Sequence, residues 1–290
     1  MAKHISNKRT PRAILRADSD GMTPRKLTAR VMSQADNQSE LPIFAQQQIE
    51  QLIADPSIWD TRYHVAAWIT AARTLRDLGA HFPVRTGSNN SKTGCETQGF
   101  LPGCSCPDGI PCARGCYAMG ELRLPAVAAA WAAAQARYEQ DPLGYFWELG
   151  DYLARGSGDF RFLEGGDAPD PQFFRLAQNL AERIPWRRFL IYTKRWSWAS
   201  AILDRAAMPS NMIVYFSRVP GCACYNPQGF PETDIFQADG SAPAGWYECP
   251  GQCGICRAAG RGCWSGDPRV AFRAHGSSAR KLFDRKREEA

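Results

Sequence analysis

Apolar residues recur at helical spacing in two early segments, Ile43 to Ile53 and Tyr63 to Leu78, the second through Val65, Trp68, Ile69, Ala72 and Leu75. A short apolar stretch around Phe82 and Val84 predicts a strand, followed by a Gly/Ser/Asn loop from Thr86 to Gly94. A helix is expected from about Leu122 to Tyr138, with Pro125 in its first turn. Asp141-Pro142 opens another, with Leu143, Phe146, Trp147, Leu149 and Leu153 on its apolar face. Phe160–Glu164 then predicts a strand. Asp170-Pro171 starts a helix bearing Phe173, Phe174, Leu176, Ala177, Leu180 and Ile184, which Pro185 stops. Phe189–Tyr192 is a buried strand, Ser197 caps a helix through Asp204, and Met212–Phe216 is the next strand. This β-α-β-α-β order suits right-handed parallel crossovers. With weaker strand candidates at Asp234–Gln237 and Val270–Arg273, up to six strands are expected. The predicted fold is α/β: a partial (β/α) barrel of mostly parallel strands with cysteine-rich metal-binding loops and an N-terminal helical extension.

The flanks differ from this middle. Residues 1–40 are polar with scattered Lys and Arg and predict a disordered basic arm, and 41–80 form the helical extension. Residues 81–276 make the α/β metal-binding domain. Residues 277–290, with Arg280, Lys281, Arg285, Lys286 and Arg287, make a basic tail. No run of about 18 apolar residues exists, so no membrane span is expected. The charged start has no apolar stretch after it and shows no secretory signal, which points to the cytoplasm.

That compartment changes the meaning of the eleven cysteines among the 290 residues. A reducing cytosol favours metal ligation over disulfides. The first group is Cys95, Cys104-Ser-Cys106 and Cys112-Ala-Arg-Gly-Cys116, five cysteines within 22 residues of Gly- and Pro-rich chain. Such loops let several thiolates converge on one point. The second group is Cys249, Cys253, Cys256 and Cys263, whose spacing suits a tetrahedral zinc or an iron–sulfur cubane equally well. Whether the two groups share one centre is left open by spacing alone. Cys222 and Cys224 form a lesser pair between them.

In a parallel sheet, ligands bind beyond the carboxyl ends of the strands. Here the predicted strands end in Glu164-Gly165-Gly166-Asp167, in Tyr192-Thr193-Lys194-Arg195 and in Ser217-Arg218. Two glycines permit close approach to the backbone, and Asp167 can accept hydrogen bonds from an amine. Lys194 and Arg218 are candidate binders of a carboxylate or phosphate. The net charge of +6 is compatible with a nucleotide or nucleic-acid partner without requiring one. The four histidines are too scattered for a hydrolytic triad, although His275 is a candidate ligand, and no phosphate-binding loop of the Gly-x4-Gly-Lys-Ser/Thr type is present.

The arrangement resembles the radical S-adenosylmethionine enzymes, which carry a Cys-x3-Cys-x2-Cys loop after the first barrel strand and a Gly-Gly-Glu-like segment after the second. Cys112 and Cys116 have the first spacing, Tyr117 fits the aromatic position that follows, and Gly165-Gly166-Asp167 stands downstream. Met119 occupies the third ligand position, so Cys104 or Cys106 would supply that thiolate. The resemblance implies a 4Fe-4S cluster held by three thiolates, with S-adenosylmethionine on the open iron and against Gly165, Gly166 and Asp167. It further implies Tyr192 as a hydrogen donor to a substrate radical, with Lys194 and Arg218 holding an anionic group.

The chain also resembles the gene product 88 family of phage and prophage proteins. The features are Ser91-Lys92-Thr93-Gly94, Cys112/Cys116-Tyr117-Ala118, Gly166-Asp167, Tyr192-Thr193-Lys194, Pro209-Ser210-Asn211, the Cys249–Cys263 group and Phe272 with His275. A phage origin would place the protein in the host cytoplasm. The expectation is an iron–sulfur enzyme of radical type acting on a nucleotide, nucleic acid or peptide. The alternative is a non-catalytic zinc protein that binds nucleic acid or a partner protein.

Overall fold

The structure, a computed structural model, describes residues 87–90, 93–107, 110, 112, 116–121, 125–219, 222–237 and 240–274. The expected helices before residue 80, the stretch around Phe82, the basic arm and tail, and His275 lie outside the described residues.

Eight strands form one sheet: β1 (Gly87–Asn90), β2 (Cys95–Thr97), β3 (Asp159–Arg161), β4 (Arg188–Thr193), β5 (Met212–Ser217), β6 (Glu232–Phe236), β7 (Tyr247–Glu248) and β8 (Arg269–Arg273). Their order is β1-β2-β3-β4-β5-β6-β8-β7. Only β1 runs antiparallel to its neighbour; the other seven are parallel and curl into a half-barrel. Three of these strands, β1, β2 and the two-residue β7, were invisible to hydrophobic pattern. β1 lies in the stretch predicted as a loop, and β2 places Cys95 on a strand instead of in the first cysteine loop.

The helices are α1 (Tyr117–Glu121), α2 (Pro125–Gln140), α3 (Pro142–Ala154), α4 (Gln172–Arg183), α5 (Trp196–Ile202) and α6 (Cys253–Ala258). The two Asp-Pro starts are realised: the Gly144 N–H donates to Asp141 at 2.9 Å and the Phe173 N–H to Asp170 at 3.1 Å. Ser197 is a correction. It lies inside α5, which begins at Trp196 without a side-chain cap, and Asp204 instead caps a 3-10 turn at Arg205–Ala207. The face of α3 also shifts. Tyr145, Phe146, Leu149 and Leu153 are buried, whereas Leu143 and Trp147 are 63% and 71% exposed. At 100° per residue the latter two stand roughly 120° from the buried stripe.

Alternation along the strands divides the molecule into two layers. Phe160, Phe189, Ile191, Met212, Val214 and Phe216 face the helices and pack with Phe100, Phe146, Phe162 and Phe173 in one aromatic core. Phe162 contacts Phe160, Phe173 and Phe189 with ring centroids 4.9, 5.7 and 5.9 Å apart. The opposite, concave face carries Cys95, Leu190, Tyr192, Ile213, Tyr215, Val270 and Phe272, covered by Trp264 and the second cysteine group. Register aligns Thr97, Arg161, Leu190 and Ile213 in one inward row.

Asn211 ties α4 to the sheet. Its side-chain amide donates to the carbonyls of Ala181 (2.9 Å), Ile184 (3.1 Å) and Arg187 (2.9 Å), the first two of which also accept from the N–H of Ile184 and of Arg187. Asn211→Ala is expected to destabilise the fold by about 1–3 kcal/mol, the loss of two or more hydrogen bonds at about 0.5–1.5 kcal/mol each. A urea titration with an unchanged m-value would register it as a lower midpoint.

Candidate functional site

The first cysteine loop follows β2, and Glu164-Gly165-Gly166-Asp167 follows β3, so both sit at the carboxyl edge of adjacent parallel strands. Pairing continues past the regular strands. The N–H of Gln98 donates to Arg161 O at 3.0 Å, that of Glu164 to Gln98 O at 2.8 Å and that of Phe100 to Gly165 O at 2.9 Å. Just before this turn Leu163 adopts φ 57°, a conformation that is strained for a branched side chain.

Asp167 is the pin of this edge. It is 2% exposed, and its carboxylate accepts from Thr193 Oγ1 (2.6 Å), Lys194 N (2.7 Å) and Ala168 N (2.8 Å). Its own N–H donates to Ser105 Oγ at 2.9 Å. Burial raises its pKa, against the pull of Lys194 and these donors. Arg195 reaches back from the end of β4 and donates to the carbonyls of Ser105 (3.0 Å) and Cys106 (2.9 Å). The glycines permit close approach as the sequence implies, but protein fills the space. A side chain on Gly165 would meet the Trp131 ring at 2.5 Å, and one on Gly166 would meet Ser105 Oγ and, at 2.9 Å, the Phe100 carbonyl oxygen.

Within the first cysteine group, three thiols are neighbours. Burial raises the Cys106 pKa well above its ordinary value, and the thiols of Cys116 and Cys112 and the Asp167 carboxylate add to it. Burial also raises Cys112, which Lys194 opposes. Lys194 itself is held above the usual lysine value. Burial opposes its charge, but Cys112, Asp167 and Cys106 outweigh it. Tyr117, next after Cys116, donates its hydroxyl to Glu164 O at 2.7 Å and accepts from Arg161 at 3.4 Å.

The second group lies deeper on the concave face and does not merge with the first. Cys249 is the first residue beyond β7, and Cys253 and Cys256 lie on α6. Cys263 is pushed up to about 12 by burial, is hydrogen-bonded by Tyr192, and has the thiols of Cys249 and Cys253 as neighbours. Cys249 feels Cys256 and Cys253, and the Tyr247 hydroxyl stands 3.5 Å from Cys256 Sγ. Cys95, grouped by sequence with the first loop, instead neighbours Cys253, Arg161 and Arg257. Arg257 anchors the segment to the sheet through Asp159 (2.5 Å). Asp159 also takes a two-pronged contact from Arg188 at 2.8 Å, and both guanidiniums flank the Trp264 ring.

Tyr192 and Lys194, two apart on β4 and its extension, therefore face different cysteine groups: Tyr192 the second, Lys194 the first. Arg218 lies elsewhere, 3.7 and 3.8 Å from the carboxylates of Glu232 and Asp234. Arg161 is the inward cation that pattern reading passed over. It stacks at 4.8 Å on Tyr192 and reaches Tyr117. The signal was present in Phe160-Arg161-Phe162, where a charge alternating with two buried phenylalanines must face the other side of the sheet.

None of the eleven cysteines forms a disulfide. Among the described residues, no group of three or more Cys, His, Asp or Glu side chains stands in metal-holding geometry. The chemistry of the donors nevertheless fits thiolate-held metals: three neighbouring thiols in one group and four in the other, on loops and a helix start. No helix among the described residues is long and apolar enough to cross a membrane.

These features define a class, a parallel α/β half-barrel that gathers two sets of thiols outside any disulfide, one at the carboxyl edge of its strands and one on its concave face. The family model described as gene product 88 matches residues 67–220, more than half of the 290-residue chain, and the chain belongs to that family. The matched span includes the first cysteine group, Asp167 and Lys194, and stops short of Cys249. No curated protein and no solved structure matches the chain.

Proposed function

We propose that the protein is an iron–sulfur enzyme of phage or prophage origin, resembling the radical S-adenosylmethionine enzymes, that acts on a nucleotide, nucleic acid or peptide. The observation that carries this reading is the convergence of Cys106, Cys112 and Cys116 beside Lys194 at the carboxyl edge of the parallel strands. Three thiolates are the set that leaves one iron of a four-iron cluster open to a ligand. Cys106 takes the position that Met119 leaves vacant in the sequence spacing, because Arg195 and Ser105 fold its loop back against β4. When bound, such a cluster supplies one electron to a sulfonium cofactor. Cys249, Cys253, Cys256 and Cys263 hold a second centre. Asp167 keeps the loop after β3 against β4, Tyr192 orients Cys263, and Lys194 places a positive charge beside the first thiols.

The test is iron, zinc and acid-labile sulfide content of protein purified without oxygen, together with its absorption spectrum. About four irons and four sulfides per cluster are expected. Cys106→Ser is expected to lose the iron of the first centre while Cys104→Ser keeps it; equal loss from both would remove Cys106 from its role. Zinc without sulfide would establish the alternative, a zinc protein that binds nucleic acid or a partner. An intact cluster that fails to cleave S-adenosylmethionine on reduction would end the radical reading.

A further inference from the structure

We infer that Arg161 and Lys194, beside Tyr117, form an oxyanion-binding site on the concave face, taking a phosphate or carboxylate carried by the ligand. It deepens the site proposed above by naming the ligand's anionic handle, and it uses protein side chains alone, so it does not rest on the metal.

Half-buried basic side chains in this fold generally find acidic partners. Arg137 pairs with Glu148, Arg257 with Asp159, Arg218 with Glu232 and Asp234, and the fully buried Arg187 with Glu96. Arg161 and Lys194 differ. Neither has a carboxylate within 4.0 Å among the described residues, and the Lys194 ammonium makes no hydrogen bond to them. Arg161 Nε is buried without any hydrogen-bond partner. Among the described residues, the one hydrogen bond of its guanidinium is to the Tyr117 hydroxyl at 3.4 Å, longer than a good hydrogen bond, with the Glu164 carboxylate a more distant neighbour.

Arg161 lies in the inward row of Thr97 and Leu190, and Lys194, in the bend just past β4, has Cys112, Asp167, Cys106 and Tyr117 as its electrostatic neighbours. Tyr117 joins them, contacting Arg161 directly and lying within electrostatic reach of Lys194. Its ring is 56% exposed, so the site opens to solvent at the strand ends. A planar guanidinium with a free Nε and an ammonium form a donor set for an oxyanion, and Tyr117, whose hydroxyl donates to Glu164 O, flanks them. A ligand anchored there lies against Cys106 and Cys112 on one side and Tyr192 on the other.

The experiment is calorimetric titration of the full chain, at low salt, with inorganic phosphate and separately with acetate. One saturable site is expected for phosphate, for acetate or for both; phosphate alone identifies a phosphorylated ligand and acetate alone a carboxylate. Arg161→Gln and Lys194→Gln should each weaken binding at least tenfold. Arg183→Gln, which removes an exposed charge on α4, should leave it unchanged. Thermal melts run alongside separate loss of binding from loss of fold, and if Arg161→Gln fails to fold then Lys194→Gln decides. Absence of binding by either anion overturns the inference, as does equal weakening by Arg183→Gln, which would mark a diffuse charge effect. Metal content, measured on the same samples, fails or succeeds separately.

Discussion

Arg187→Met is expected to destabilise the domain by about 3 kcal/mol or more, in line with removing one partner of a buried charged pair. Arg187 is 1% exposed and lies outside every candidate site, yet it joins three parts of the chain. Its guanidinium donates to Glu96 on β2 (2.5 Å), to Leu153 O at the end of α3 (3.0 Å) and to Gly158 O before β3 (3.1 Å). Methionine fills much of the volume but removes a charged donor from the Glu96 carboxylate, which keeps Tyr152, from Leu153 O, which keeps the Gly156 N–H, and from Gly158 O. Glu96 is 27% exposed, so solvent recovers part of its loss, which holds the figure near the lower end. Lysine should not rescue, since one ammonium cannot serve three acceptors spread across a planar fork. Chemical denaturation monitored by tryptophan fluorescence measures both variants. A shift under about 1 kcal/mol would show that the network is dispensable.

The second large effect is expected at Gly166. Its φ of +70° costs a β-carbon about 1–2 kcal/mol by itself. Alanine there would also meet the Phe100 carbonyl oxygen at 2.9 Å, a backbone atom that cannot rotate away. Gly166→Ala should therefore cost about 3 kcal/mol or more. The strain falls on the hydrogen bonds that hold the first cysteine loop, above all Asp167 N–H to Ser105 Oγ. The thiols of Cys106 and Cys112 should react faster with a thiol reagent in the variant than in the parent. Unchanged stability with unchanged thiol reactivity would mean that the loop does not lean on this turn.

Much of the helix-facing layer was legible in the sequence. β4 and β5 are continuous apolar runs, and the Asp-Pro starts of α3 and α4 carry their own caps, so each signal is local. β2 was not legible. It is three residues, Cys95-Glu96-Thr97, and its parallel partner lies more than 60 positions further on. Hydrophobic pattern cannot show a strand this short, held between the apolar-poor β1 and a parallel partner so far along the chain. The same cause explains the site. Gly165-Gly166 correctly announced a close approach, but what approaches is Trp131 and the turn at Phe100, placed there by tertiary packing. Cys104 and Cys106 are indistinguishable by spacing; in the fold the Cys106 carbonyl accepts from Arg195 and its thiol has Cys116 and Cys112 as neighbours. Arg218 and Lys194 look alike at the ends of successive strands. Glu232 and Asp234 on β6 neutralise the first and leave the second facing the thiols.

The segment that covers the concave face also sets a schedule for assembly during synthesis. Strands β2 to β5 and helices α2 to α5 bury their shared aromatic layer using nothing beyond Phe230. Trp264, Arg257 and the second cysteines arrive later, and Arg257 reaches back 164 positions to the carbonyl of Thr93. Until they emerge from the ribosome, Leu190, Tyr192, Ile213 and Tyr215 present an uncovered apolar surface to the cell. Contacts that distant in sequence are slow to form, and the intermediate they leave open is prone to self-association. The closing segment thus acts as the last piece to dock, and the nascent chain passes through a stage in which its interior is open.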